Sequence, residues 1–159
     1  MCDNQNEFED YPPRERIVTM GILCDFFIAD GSTVPNYDGG EGFADADKCQ
    51  FRDLSPLQGG QFLAVLRDEE YDVSMVSEFK LVTPEEAEEW TMSVPQDMVI
   101  KLAGIRDDQI SEFAEKFAYV TREELGWAPD DFIQIVAQLV ALARRAVESG
   151  KTMYLWNCL

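Results

Sequence analysis

One stretch of the chain gathers oxygen ligands and glycines in a way that could hold a cation. Between residues 30 and 47 lie Asp30, Asp38, Glu41, Asp45 and Asp47, interleaved with Gly39, Gly40 and Gly42. Hard cations such as calcium take about six to eight oxygens from a flexible loop. Asp38, Glu41, Asp45 and Asp47 are therefore candidate metal ligands. The spacing is not that of an EF-hand, which needs ligands at alternate positions and a glycine at the sixth. Gly39-Gly40-Glu41-Gly42 followed by Asp45 is one residue off the calcium-binding nonapeptide pattern, and it occurs once. No Lys-Ser/Thr pair follows the glycines, so the stretch is not a phosphate-binding loop. The competing reading is a solvated acidic loop.

Two further acidic runs carry a different chemistry. Asp68, Glu69, Glu70 and Asp72 form the first, and Glu85, Glu86, Glu88 and Glu89 the second. Residues 1–95 hold 21 acids against 6 bases, whereas residues 96–159 hold 10 against 7. Such asymmetry suits a negative surface that steers a basic protein partner by long-range attraction. It also suits plain solubility. These eight carboxylates are the candidate partner-binding residues. Mimicry of nucleic acid would need carboxylates spaced like phosphates, which a sequence does not display.

Residue types that are missing narrow the chemistry. The chain has no histidine. That removes Ser-His-Asp and Cys-His nucleophile systems, His-containing zinc sites, and the usual general base near neutral pH. An enzyme built here would have to use carboxylates, Tyr, Lys or Cys, and glycosidases do work with a carboxylate pair. With 31 Asp and Glu present, no pair stands out, and the balance is against an enzyme. Cys2, Cys24, Cys49 and Cys158 are scattered with no C-x-x-C, which reads as free thiols in a reducing compartment. Trp90, Trp127, Trp156, Phe79 and Tyr154 are candidate aromatic anchors, with core packing as the alternative for each.

The formal net charge is −18 over 159 residues. A chain so negative repels nucleic-acid phosphates and anionic membranes, so neither is an expected direct partner. The N-terminal sequence is acidic and lacks the basic and apolar regions of a signal peptide, and no apolar run reaches about 20 residues. The expected compartment is the cytoplasm, and no cofactor is expected.

The elements that must position these residues follow from pattern. Residues 1–15 read as a loose N-terminal arm, and 16–159 as one domain. Residues 16–29 alternate onto two faces: Cys24, Phe26 and Ile28 on one, Leu23 and Phe27 on the other. That predicts a central strand buried on both sides. A long connection over 30–53 follows. Ser55-Pro56-Leu57-Gln58 predicts a capping box with proline at the first helical position, and a helix to about Arg67. Gly59 and Gly60 inside it predict close packing against a neighbour.

A short strand is expected near 78–82. A turn of helix is expected from Thr83-Pro84-Glu85-Glu86, and another strand over 89–94. Helices are expected near 95–103 and 108–119, then a short helical stretch at 121–124. The longest helix should run over 129–149 and end at Gly150. The final strand should place Met153 and Leu155 on one face, Tyr154 and Trp156 on the other. The sum is an α+β fold: a small mixed or antiparallel sheet packed against a long C-terminal helix and several shorter ones.

Leu54-Ser55-Pro56-Leu57, Glu89-Trp90, Val94-Pro95, Trp127-Ala128-Pro129, Leu142-Ala143-Arg144-Arg145-Ala146 and Gly150-Lys151-Thr152-Met153-Tyr154-Leu155-Trp156 resemble a group of small acidic bacterial proteins, loosely similar to the YfbM-like domain. The resemblance covers about residues 54–159. It implies a bacterial or phage-like origin and an α+β fold. It carries no catalytic residue, and by analogy an immunity- or inhibitor-type role against a basic protein. The functional expectation is non-catalytic binding of such a partner. The alternative is a carboxylate-based enzyme or a calcium-dependent site at the 30–47 loop.

Overall fold

The structure, a computed structural model, describes residues 21–31 and 37–159. The N-terminal arm expected over 1–15, and the first residues of the strand expected from 16, lie outside the described residues. Within them the chain forms one α+β domain around a five-stranded antiparallel sheet. Its strands are β1 (Leu23–Ala29), β2 (Lys48–Arg52), β3 (Lys80–Leu81), β4 (Glu89–Ser93) and β5 (Thr152–Cys158), in the order β2-β1-β5-β4-β3.

The period-two alternation of β1 and β5 sorts their side chains as expected. Cys24, Phe26, Ile28, Met153 and Leu155 face the larger core, which the helices cover. Phe27, Tyr154 and Trp156 face a smaller aromatic core on the opposite side. Trp156 lies beside Asp25 in the β1–β5 register. Both strands are buried on both faces, so they read as near-continuous apolar runs.

The helices are α1 (Pro56–Arg67), α2 (Gln96–Ala103), α3 (Ile110–Val120) and α4 (Pro129–Ser149). The first begins where its capping box places it. Ser55 Oγ accepts from the Leu57 N–H at 3.2 Å, and Gln58 Oε1 accepts from the Ser55 N–H at 2.8 Å. Phe62 of α1 stacks on Phe117 of α3 at 4.0 Å between ring centroids and meets Phe132 of α4 edge-on. These rings join three helices above the sheet.

Several local expectations change. Residues 48–52 were expected within a loop and form β2, an edge strand whose only apolar residues are Cys49 and Phe51. Two apolar positions are too few to signal a strand without its partner β1. Thr83-Pro84-Glu85-Glu86 forms a turn closed by the Ala87 N–H on the Pro84 carbonyl, not a turn of helix. The Thr83 hydroxyl accepts from the Thr91 N–H, so it serves the β3–β4 hairpin instead of a helix end. Residues 121–125 are a turn as well.

The cysteines divide. Cys24 and Cys49 are buried free thiols, and burial pushes the Cys24 thiol up to about 12, away from reactivity. Cys158 is disulfide-bonded, contrary to the expectation of a free thiol there.

Candidate functional site

The acidic run at 68–72 is positioned by the way α1 ends. Asp68 takes the left-handed conformation, with φ 54° and ψ 44°. Its N–H bonds to the Val65 carbonyl at 3.1 Å, and the Glu69 N–H to the Ala64 carbonyl at 2.9 Å. This is a Schellman closure, in which glycine is the favoured residue. Gly150 closes α4 with the same pair of bonds and with φ 67°. At the end of α1 the position is given to a carboxylate instead. The reversal throws Asp68, Glu69 and Glu70 outward beside α3, and all three are exposed.

Between this turn and α3 lies a groove of about 480 Å³. Asp68, Glu69 and Glu70 line one wall, and Glu115 of α3 adds a fourth carboxylate. Ala64, Val65 and Val120 form its more buried apolar part. Tyr119 stands 68% exposed at the groove. Tyr71 also lines it, and the Tyr71 hydroxyl is buried without a hydrogen-bond partner. Burial, then the charges of Glu124 and Asp72, push that phenol above its ordinary pKa. The one cation in the lining, Lys116, is paired with Glu112 at 2.8 Å.

The remaining acidic candidates fall elsewhere. Asp72 caps the short 3-10 turn Val73–Glu78 by accepting from the Ser74 N–H at 2.8 Å, and hydrogen bonding to the Ser74 side chain, then to its N–H, lowers the Asp72 pKa. Glu85, Glu86 and Glu88 are exposed on the β3–β4 hairpin and do not line the groove. Glu89 is half-buried and accepts from Trp156 Nε1 at 3.0 Å, which makes it a structural partner of the second core. Tyr154, Trp156 and Phe79 are themselves core residues.

Within the described part of the 30–47 loop, Asp47 is held by two cations from the C-terminal end of the chain. Arg145 Nε donates to Asp47 at 2.5 Å and Lys151 Nζ reaches it at 3.4 Å. The Arg145 hydrogen bond is the main cause holding the Asp47 carboxyl below its ordinary pKa. Asp38, Glu41 and Asp45 are exposed. Among the described residues no group of three or more Cys, Asp and Glu side chains is placed to share a metal ion.

A residue that sequence reasoning passed over anchors this loop. Asp25, in mid-β1, is only 3% exposed. It accepts from the Tyr37 hydroxyl at 2.5 Å and from Gln50 Nε2 at 3.0 Å. Gln50 also donates to the Gly39 carbonyl, and Lys48 to the Gly40 carbonyl. Burial, then the Asp25 hydrogen bond and charge, raise the Tyr37 phenol well above its ordinary pKa. The ring of Tyr37 stacks on Phe27 at 4.1 Å between centroids. A lone Asp in the apolar run Leu23-Cys24-Asp25-Phe26-Phe27 was the signal: a buried carboxylate must find donors.

Comparison with known proteins adds no relative to this geometry, since no family model, curated protein or solved structure matches the chain.

Proposed function

We propose that the protein is a non-catalytic binding domain for a basic protein, engaging it through the acidic turn 68–70 and the adjoining groove. The observation that carries this is the arrangement of charge. Arg67, Arg106, Lys116, Arg144, Arg145 and Lys151 are all held in ion pairs. Asp68, Glu69, Glu70 and Glu115 have no ion-pair partner among the described residues. A shallow, open groove walled by four such carboxylates favours a cation entering from another molecule. Inhibition of a toxin or nuclease, as an immunity protein does, is one form of this role.

The test is a salt-dependent capture on immobilised protein. One basic protein should be retained at low salt and released at high salt. The triple variant Asp68→Asn, Glu69→Gln, Glu70→Gln should lose it, while Glu85→Gln, Glu86→Gln, Glu88→Gln should retain most of it. Equal capture by wild type and the first triple variant would sink the assignment of this surface. The compartment belongs to the same proposal. The expected cytoplasm is a reducing compartment, and the disulfide at Cys158 weighs instead for an oxidising one. Thiol alkylation of intact cells before lysis decides between them.

A further inference from the structure

We infer that the sheet face opposite the helices carries a binding slot for a phenolic ring, and that the chain's own Tyr37 occupies it as a displaceable plug. The slot is separate from the acidic groove, and its walls belong to regular elements. Asp25 and Phe27 come from mid-β1, Gln50 from β2 and Trp156 from β5, three adjacent strands. Phe27 stacks on the Tyr37 ring at 4.1 Å between centroids, and Trp156 is tilted against it at 5.3 Å. The buried Asp25 carboxylate accepts from the phenol hydroxyl. Two aromatic walls and a fixed acceptor select a planar ring that carries a hydroxyl donor. A plain hydrocarbon ring of the same size would leave the buried carboxylate short of a donor.

The plug, in contrast, comes from irregular chain. Of residues 37–47 only Tyr37 and Gly40 are buried. Besides Tyr37, the attachments of this segment to the sheet include Gln50 on the Gly39 carbonyl at 3.2 Å, Lys48 on the Gly40 carbonyl at 3.0 Å and the edge of Phe43 on Phe27. Segments with few buried apolar contacts open locally, at less free energy than global unfolding. Gly39, Gly40 and Gly42 all have positive φ, so the segment turns at residues that change conformation with little steric penalty. Its closure is tight at Gly40, where a Cβ would lie 2.9 Å from the Tyr37 hydroxyl oxygen.

The probe is p-cresol, which is the tyrosine side chain cut free, with toluene as the control ring. Tyr37→Ala empties the slot, so p-cresol should raise its Tm saturably and bind about tenfold more tightly than toluene. The unaltered protein should bind p-cresol more weakly, by the fraction of molecules whose plug is withdrawn. Gly40→Ala crowds the closed form and should tighten p-cresol binding several-fold over the unaltered protein. Native-state amide exchange gives a second reading that needs no variant. The Phe43 N–H, bonded to the Gly40 carbonyl, should exchange at least about tenfold faster than Leu155 and Trp156, with no dependence on low denaturant. A folded Tyr37→Ala that binds p-cresol no better than toluene would overturn the slot. Should Tyr37→Ala not fold, Gly40→Ala without gain in p-cresol binding would do the same. Exchange of Phe43 only through global unfolding would overturn the plug.

Discussion

Asp68 shows how one residue can trade stability for a surface. A non-glycine residue in the left-handed region carries an energy penalty relative to glycine, and α4 avoids it with Gly150. Asp68→Gly should therefore stabilise the fold by about 1 kcal/mol, or roughly 2–4 °C in Tm. The same change should weaken binding of a basic protein. Urea unfolding and anisotropy titration on one preparation read both signs, and a loss of stability would show that the Asp68 side chain has a structural role. Tyr37 presents the opposite case. Removing its hydroxyl with Tyr37→Phe leaves the buried Asp25 carboxylate with one donor fewer. A cost of about 1.5–3 kcal/mol is expected, measured as a lowered denaturant midpoint. An unchanged midpoint would mean that water replaces the hydroxyl.

At the scale of elements, α1 is the part on which the rest is assembled. The glycines predicted to pack closely do so. A Cβ on Gly59 would lie 2.7 Å from Cζ of Phe79, a buried ring. Alanine gains about 1 kcal/mol of helix propensity over glycine, but displacing a packed ring costs about 1–3 kcal/mol. Gly59→Ala should therefore destabilise on balance, and thermal melting gives the sign. Arg67 closes the other end of α1. It donates to Glu78 at 2.8 and 2.6 Å and to Asp97 at 2.8 and 3.1 Å, joining α1, the 3-10 turn and α2.

The Arg67 hydrogen bonds are the main cause lowering the pKa of both carboxylates. Folded-state values below the unfolded ones mean that the unfolded chain takes up protons first. Their stabilisation is present above about pH 4 and is lost as pH falls through the lowered values. Arg67→Met should flatten the fall of stability with acid in that window, a slope read from urea midpoints at stepped pH. An unaltered slope would assign acid sensitivity to other groups, Asp47 among them.

For the whole molecule, the net charge of −18 sets two responses to salt that run in opposite directions. Screening relieves self-repulsion among the carboxylates and should raise Tm. It also weakens attraction to a basic partner. Between about 20 mM and about 0.5 M salt the Debye length falls from roughly 20 Å to roughly 4 Å, so both changes should occur in that range. Melting curves and binding isotherms along one salt series measure them together. A partner affinity indifferent to salt would point to an apolar interface. No helix among the described residues is long and apolar enough to cross a membrane.

Much of this architecture was legible in the chain because its signals are local. Ser55-Pro56-Leu57-Gln58 specifies a helix start through hydrogen bonds within four residues. Gly150 specifies a stop through one backbone angle, and the alternation in β1 and β5 specifies which side chains share a face. The α+β class, the span of α4 and the split of Met153 and Leu155 from Tyr154 and Trp156 follow from those signals alone. Composition likewise determined the charge and the absence of imidazole chemistry.

What the tertiary structure decided depends on contacts between residues far apart in sequence. β2 becomes a strand only because β1 offers it a ladder. Asp47 is taken up by Arg145 and Lys151 from the far end of the chain, so a plausible cation ligand serves as a clasp. Glu89 is drawn to Trp156. Glu115, unremarkable on an amphipathic helix, joins Asp68, Glu69 and Glu70 because α3 packs beside the end of α1. A carboxylate's type fixes its charge, but its role is set by which donors and cations the fold brings within hydrogen-bond reach.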